Sequence, residues 1–204
     1  MKNKKFKVIV LFSGEGTNLQ SIIDNCPDID IPIVVTDNPT APGIQRAAEK
    51  GIPTIVFAQN SQTTRKQYCE KLESLVKKWN ADLIVLAGFM KILTKEFINK
   101  FSNKVINTHP SLLPKYKGLH THKHVVINKD REHGITIHWV TEELDNGPII
   151  LQRKFVVEPK DTEKTLQLKI KSLEHVWYPW IINNIAGGDL KYDTVLSVLS
   201  FRKK

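Results

Sequence analysis

Asn107 and His109 stand two residues apart at the end of the apolar segment VINTHP, residues 105–110. Side chains alternate between the two faces of a β-strand, so the amide and the imidazole point the same way and Thr108 points to the other face. Pro110 has no N–H to give to a sheet, so we expect the strand to end there. In open α/β sheets, ligands bind at the carboxyl ends of the strands. The spacing therefore predicts a site around Asn107 and His109.

A third chemical group, the carboxyl of Asp145, lies in the polar glycine segment LDNGP, residues 144–148. An amide can donate to a developing oxyanion, an imidazole can donate or shuttle a proton, and a carboxylate favours the cationic imidazole. This set suits transfer of an acyl group to an amine through a tetrahedral intermediate. A hydrolytic triad of Ser111, His109 and Asp145 is the alternative, but Ser111 begins a loop and lacks the strand–turn–helix setting of a nucleophile elbow.

The segment SGEGTN, residues 13–18, joins a predicted strand to a predicted helix. Glycines allow a ligand to approach the backbone, and the N–H groups at a helix N-terminus favour a phosphate. Binding of a phosphate monoester is one interpretation, and a plain tight turn is the other. A dinucleotide fingerprint needs glycine where Leu19 stands, which argues against NAD, although Asp37 lies about where a ribose-binding acid is expected.

Three alternating histidines, His120, His122 and His124, raise the possibility of a metal site. On a helix they would diverge, and no cysteine or carboxylate lies close to them in the sequence to complete a ligand set. We therefore expect no metal there. His133 and His138 belong to or flank a predicted strand and are expected to be pocket walls at most.

The segments that must position these groups alternate between apolar strands and amphipathic helices. Strands are predicted at 7–12, 31–36, 53–57, 82–87, 105–109, 134–140 and 148–157, and helices at 18–25, 41–50, 63–79, 94–101, 122–128 and from a cap at Asp161 or Thr162 to Gly187. Alternation of this kind gives right-handed βαβ units on a parallel sheet. We expect an α/β fold with a doubly wound, mostly parallel sheet in one domain, 1–204, and the tail from Asp189 carries only a weak signal.

Composition limits the function classes. Hydrophobic residues make up 41% and charged residues 25% of the 204 residues, and no apolar run reaches the roughly 20 residues that cross a bilayer. The basic N-terminus leads into a short apolar run, which we interpret as a first strand rather than a signal peptide. Cys26 and Cys69 lie far apart, which fits a reducing cytoplasm. The net charge of +9 suits small anionic substrates better than RNA, because the lysines are dispersed.

The segment NTHPSLLP, residues 107–114, resembles the signature of the folate-dependent formyltransferases. The segments SGEGTN, AGFMKIL (87–93), KYKGLHTH (115–122) and LDNGP agree with the same family in the right order, so the resemblance covers nearly the whole chain. It implies a Rossmann-like formyltransferase fold. It also implies transfer of the formyl group of 10-formyltetrahydrofolate, a cosubstrate, to the amine of N1-(5-phospho-ribosyl)glycinamide in de novo purine biosynthesis.

The resemblance also assigns residues, with Asn107, His109 and Asp145 as the catalytic set. It assigns the ribonucleotide, chiefly its phosphate, to Gly14, Glu15, Gly16, Thr17 and Asn18, with Glu174 reaching the ribose. It assigns the folate to Arg65, Met90, Lys91, Ile92, Leu93, Lys104, Asn107 and the loop from Val140 to Asp145, which includes Thr141. The implied partners are small molecules, without nucleic acid or membrane, and the chain would act as a monomer or homodimer.

Other readings stay open beside this one. A formyltetrahydrofolate hydrolase and a methionyl-tRNA formyltransferase resemble the chain less, because we expect it to lack their N-terminal regulatory and C-terminal RNA-binding domains. A basic α/β module that binds RNA without catalysis is the alternative from another class. Some positions depart from the family pattern: Thr108 replaces a usual isoleucine, and Lys91 and Lys104 replace arginines and lose the bidentate fork. The charge of Glu15 is unfavourable near a phosphate, so its side chain should point outward.

Overall fold

A computed structural model of the chain describes residues 5–59, 62–193 and 198–201. Its strands are β1 (Phe6–Phe12), β2 (Ile29–Asp30), β3 (Val34–Thr36), β4 (Thr54–Val56), β5 (Leu83–Leu86), β6 (Val105–His109), β7 (Glu132–Trp139), β8 (Ile149–Val156), β9 (Leu190–Asp193) and β10 (Val198–Phe201). Its helices are α1 (Thr17–Asn25), α2 (Gly43–Glu49), α3 (Arg65–Trp79), α4 (Lys95–Lys100), α5 (Thr121–Ile127) and α6 (Glu163–Ala186). None of the described helices combines the length and apolarity that crossing a membrane requires.

The main sheet has the strand order β4-β3-β1-β5-β6-β7-β8, and β2 extends the edge of β1. Pairing is parallel from β4 through to β6 and antiparallel for β6–β7 and β7–β8. The predicted mostly parallel sheet is therefore confirmed, with an antiparallel edge formed by the two late strands. Parallel pairing brings the carboxyl ends of β1, β5 and β6 to one edge, and β6 ends at His109 as predicted.

Strand β1 shows why helices cover both faces of the sheet. Val8, Val10 and Phe12 pack in the core layer that includes α1 and α6, while Ile9 and Leu11 pack in the layer that includes α3 and α4. All five side chains have no solvent exposure. Burying each such side chain stabilises the fold by roughly 1.5–3 kcal/mol, so this near-continuous apolar strand requires a doubly wound arrangement.

Two predictions about elements need correction. The predicted strand 31–36 is shorter in the structure, where only β3, Val34–Thr36, falls within it; the separate strand β2 ends at Asp30, before Pro32, which has no N–H for a sheet ladder. The weakly predicted tail contains an antiparallel hairpin of β9 and β10. Four segments lie outside the described residues: the basic start at 1–4, residues 60–61, and the tail segments 194–197 and 202–204.

Two contacts bring the carboxyl edge of the sheet together. The N–H of Met90 donates to the Ser13 hydroxyl at 2.8 Å, so the loop after β5 is tied to the turn after β1. The buried Tyr178 hydroxyl of α6 donates to the carbonyls of Leu86 and Ile106, at 3.0 and 3.1 Å. Helix α6 is therefore fixed against the end of β5 and against β6. Strand β6 is the one that carries Asn107 and His109.

Candidate active site

One cavity of about 710 Å³ opens at this carboxyl edge. Its wall combines the turn after β1, the loop after β5, the end of β6, the start of α5, the loop after β7 and one face of α6. The predicted site residues that line it are Gly14, Glu15, Gly16, Thr17, Asn18, Met90, Lys91, Ile92, Leu93, Asn107, His109, Val140, Thr141, Asp145 and Glu174. Segments far apart in the sequence thus form a single crevice with two ends.

The amide, imidazole and carboxylate predicted as a set meet in the middle of this crevice. Nδ1 of His109 lies 3.4 Å from Oδ2 of Asp145, and both side chains are almost fully buried. On its other side, His109 donates from Nε2 to the carbonyl of Tyr116 at 2.8 Å. The imidazole therefore has an acceptor at each nitrogen, an arrangement that favours a protonated ring.

A tight loop presents Asp145 to His109. Asp145 has a left-handed backbone with φ 47°, and the N–H of Gly118 donates to its Oδ2 at 2.9 Å. The loop also passes so close to β7 that a Cβ on Gly147 would lie 1.7 Å from the carbonyl oxygen of Trp139. Only glycine fits at that point, so the LDNGP segment is shaped to bring one carboxylate over the strand end.

Burial and charge oppose each other at this pair. Burial raises the pKa of Asp145, but the Gly118 N–H and the neighbouring histidines bring the pKa below its ordinary value, so the carboxylate is ionised. Burial lowers the pKa of His109 below its ordinary value, and the Tyr116 carbonyl and the Asp145 charge oppose that shift without overcoming it. The Tyr116 carbonyl and the Asp145 charge are therefore the two groups that support the cationic form of His109 against burial.

His138 is a member of this cluster that the sequence interpretation placed only in a pocket wall. It lies opposite Asn107 in the β6–β7 register, and its Nε2 is 3.4 Å from Nδ2 of Asn107 and 3.7 Å from Oδ1 of Asp145. Its Nδ1 donates to the carbonyl of Trp139 at 2.9 Å, and its Nε2 faces both the Asn107 amide and the Asp145 carboxylate. His138 is therefore a direct neighbour of two of the three predicted catalytic groups.

The turn after β1 forms one end of the cavity. Gly16 has φ 68°, and a Cβ there would lie 2.6 Å from the Cα of Gly43, so glycine is required by both backbone and space. Helix α1 starts at the next residue, and its first-turn N–H groups lack intrahelical acceptors. The Glu15 side chain is exposed, and the backbone carbonyl of Glu15 accepts a hydrogen bond from Nε of Arg46 at 2.8 Å. The turn therefore offers backbone donors rather than an acidic side chain.

Glu174 lies beside this turn on α6, as the resemblance implied. Only 7% of the residue is exposed, and its two oxygens accept from Nδ2 of Asn18 and from Oγ1 of Thr108, each at 3.0 Å. Burial raises the pKa of Glu174, and these two donors and Lys171 oppose that rise. Lys171, one turn earlier on α6, also lines the cavity and was not singled out from the sequence.

The other end of the cavity is more apolar. Met90 and Ile92 are 63% and 53% exposed, and Leu93 and Val140 lie with them in the cavity wall. Lys91 has its Nζ 4.0 Å from Oδ2 of Asp37. An apolar wall with a few polar groups is typical of a binding site for a small organic ligand.

Arg65 and Lys104 do not line this cavity, although the resemblance placed them in the folate site. Both are exposed. Arg65 is the first residue of α3, and Lys104 precedes the first residue of β6, at the amino end of the strand. Neither residue is therefore supported as a folate contact by the lining of the cavity.

The hydrolytic triad is not formed. The Ser111 hydroxyl is fully buried and donates to the carbonyls of Lys115 and Tyr116, at 2.6 and 3.3 Å. Those bonds stabilise the loop after β6 and direct the hydroxyl at backbone oxygens.

The three alternating histidines diverge at the start of α5. His120 is exposed, His122 pairs with His133 through Nδ1 and Nε2 at 2.9 Å, and the His124 ring packs on Tyr116. Within the described ranges, no group of three or more histidine, cysteine, aspartate or glutamate side chains is arranged to hold a metal.

A crevice at the carboxyl edge of a doubly wound sheet thus holds an amide, an imidazole and a carboxylate between a helix start and an apolar wall, the arrangement expected of a group-transfer active site. The family model described as "Formyl transferase" matches residues 6–182. The chain therefore belongs to the formyl transferase family, and its fold is the Rossmann-like formyltransferase fold.

The similar proteins agree with this assignment. The chain is 41% identical over 188 residues to the phosphoribosylglycinamide formyltransferase of Escherichia coli (strain K12), covering 90% of this chain and 89% of the relative. A solved phosphoribosylglycinamide formyltransferase from Coxiella burnetii has a TM-score of 0.88 and 39% identity, covering 94% of this chain and 92% of that one. A glycinamide ribonucleotide transformylase from Symbiobacterium toebii has a TM-score of 0.93 and 30% identity, covering 99% and 96%.

Proposed function

We propose that the protein is a phosphoribosylglycinamide formyltransferase. It transfers the formyl group of 10-formyltetrahydrofolate to the amine of N1-(5-phospho-ribosyl)glycinamide in de novo purine biosynthesis. The observation that supports this best is a single cavity with an anion-binding helix start at one end, an apolar wall at the other, and Asn107, His109 and Asp145 between them. That order matches a reaction in which two substrates meet at one carbonyl carbon.

The ribonucleotide occupies the end formed by α1 and α6. Its phosphate accepts hydrogen bonds from the backbone between Gly14 and Asn18, where the helix dipole also favours negative charge. Lys171 adds a positive charge from the cavity wall. The Glu174 carboxylate accepts hydrogen bonds from the ribose hydroxyls, and the substrate amine then extends toward Asn107.

The folate occupies the apolar end. Met90, Ile92, Leu93 and Val140 provide contact surface for its rings, and the backbone of the loops after β5 and β7 provides donors and acceptors at the rim. Lys91 supplies a charge for the anionic part of the folate. Arg65 and Lys104 are left out of this proposal because they lie away from the cavity.

The chemistry follows from the middle of the cavity. The amine nitrogen bonds to the formyl carbon, and the carbonyl electron pair moves onto the oxygen. Asn107 donates to that oxyanion, and cationic His109 stabilises its charge. The bond from the formyl carbon to the folate nitrogen then breaks, and the proton lost by the attacking amine reaches that nitrogen through water beside Asp145. Donors that are in place before the charge develops lower the barrier without reorganisation.

A hydrolase that acts on formyltetrahydrofolate is the second candidate, because the same three groups could direct water at the formyl carbon. Transfer is favoured because hydrolysis has no use for the other end of the cavity, where Glu174 is buried and held by two donors. We also propose a reducing cytoplasm as the compartment, since Cys26 and Cys69 are both free and buried.

Mixing the protein with both substrates tests the proposal. Tetrahydrofolate release and the mass of the formylated ribonucleotide are followed together, with Asn107→Ala as the control protein. Transfer requires equal amounts of both products and none without the ribonucleotide. Tetrahydrofolate release that does not need the ribonucleotide would indicate a hydrolase. An inactive protein that instead binds RNA with a steep salt dependence would indicate the RNA-binding module.

A further inference from the structure

Thr108 lies between the two catalytic side chains of β6 but serves the other face of the sheet. Its side chain faces α6, its exposed fraction is 6%, and its hydroxyl donates to Oε1 of Glu174 at 3.0 Å. It also forms part of the cavity wall. Three consecutive residues therefore reach both the reacting carbonyl and the ribose end of the cavity.

The Glu174 carboxylate has one protein donor on each oxygen, Thr108 on Oε1 and Asn18 on Oε2. An ionised carboxylate accepts about four hydrogen bonds, so each oxygen keeps a position for a ligand. The charged or titratable neighbours are Lys171 and Tyr178 on the same helix, while β6 and α1 face the carboxylate with uncharged donors. Those two donors and Lys171 oppose the rise in the pKa of Glu174 that burial causes.

We propose that Thr108 is a positioning and specificity-determining residue, whose hydroxyl holds the Glu174 carboxylate in the orientation that accepts hydrogen bonds from the ribose hydroxyls. This inference rests on the proposed function and adds the residue that sets its preference for ribose. A site built to bond a hydroxyl rejects the analogue that lacks it, because its buried polar groups are then left unpaired.

Thr108→Val tests this by replacing the hydroxyl with a methyl group of similar shape. The Kd of N1-(5-phospho-ribosyl)glycinamide, measured by calorimetry, should rise about tenfold, the order expected for one hydrogen bond to a charged group. Turnover at saturating substrate should change little. Thr108→Ser should restore the Kd. Thr54→Val is the matched control, since the Thr54 hydroxyl is buried in β4 without a hydrogen-bond partner among the described residues.

Two further readouts separate positioning from a merely structural role. For the 2-deoxyribose analogue of the ribonucleotide, the Kd of Thr108→Val should be close to the Kd of the wild type, because the analogue lacks a hydroxyl that Glu174 would bind. Removing a donor raises a carboxylate's pKa. As the pH is lowered, ribonucleotide binding by Thr108→Val should therefore begin to weaken at a higher pH than binding by the wild type. An equal loss with both sugars, or an unshifted pH profile, would overturn the proposal, as would an unchanged Kd.

Calorimetry also keeps the two proposals apart. A wild type that binds the ribonucleotide without transferring formyl would remove the proposed function and leave the Thr108 comparison decisive. A wild type that transfers formyl while Thr108→Val binds normally would remove only the role of Thr108. If the valine variant fails to fold, Thr108→Ser and Thr108→Ala with the same two sugars decide.

Discussion

Asn107→Ala removes the proposed oxyanion donor without disturbing the strand that carries it. The β6 backbone pairs with β5 and β7 through groups that alanine keeps. The lost side chain is half-buried and has one long contact, 3.4 Å to His138. We therefore expect the free energy of unfolding to fall by no more than about 0.5–1.5 kcal/mol, the net value of one hydrogen bond.

The effect on catalysis should be much larger. Removing one oxyanion donor typically lowers turnover by about 10²–10³, equivalent to about 2.7–4 kcal/mol of transition-state stabilisation. Because Asn107 lies in the middle of the cavity, away from the phosphate turn, the Kd of the ribonucleotide should change little. Asn107→Asp should be at least as damaging as alanine, since it places a second negative charge beside Asp145 and the developing oxyanion.

Ser111→Ala gives the opposite pattern and is the matched control. Its hydroxyl is a buried donor to two loop carbonyls, and leaving a buried acceptor unsatisfied costs about 1–3 kcal/mol. We expect a less stable protein with nearly normal turnover. Turnover, ribonucleotide Kd and melting temperature are measured for each variant. An inactive Ser111→Ala beside a nearly normal Asn107→Ala would refute the reasoning and bring back a nucleophilic serine.

Three further predictions concern the groups around this centre. Asp145→Asn removes a charge that opposes the lowering of the His109 pKa by burial; because His109 is a cation in the proposed mechanism, the loss of kcat/KM on the alkaline side should begin at a lower pH, and an unchanged pH profile would contradict this. Gly16→Ala should lower the melting temperature, because its Cβ meets the backbone of Gly43, while Gly14→Ala, whose Cβ meets nothing within 4 Å, should not. Exhaustive chelation should leave turnover intact; loss restored by zinc would reveal a metal role for the histidines.

The sequence predicted best where the local pattern alone determines geometry. Alternation along a strand puts Asn107 and His109 on one face, and the proline after them ends the strand, so their joint position at the sheet edge needed no tertiary information. The same alternation put Thr108 on the opposite face, which the structure confirms. The helix that covers the opposite face could not be predicted from the strand. That helix, and hence the contact with Glu174, depends on the packing of α6.

His138 and Lys104 show the limits of such patterns. His138 lies beside Asn107 because of the antiparallel register of β6 and β7, and that register depends on how the two strands pair, which neither segment shows alone. Lys104 is only three residues from Asn107 in the sequence, but it precedes β6 and lies at the amino end of that strand. Residues a few positions apart on one strand lie at different levels of the sheet. Pairing between strands, in contrast, brings residues that are remote in the sequence side by side. The site therefore draws its groups from β6, from His138 of the antiparallel β7 and from the loops after β1, β5 and β7, which meet only in the fold.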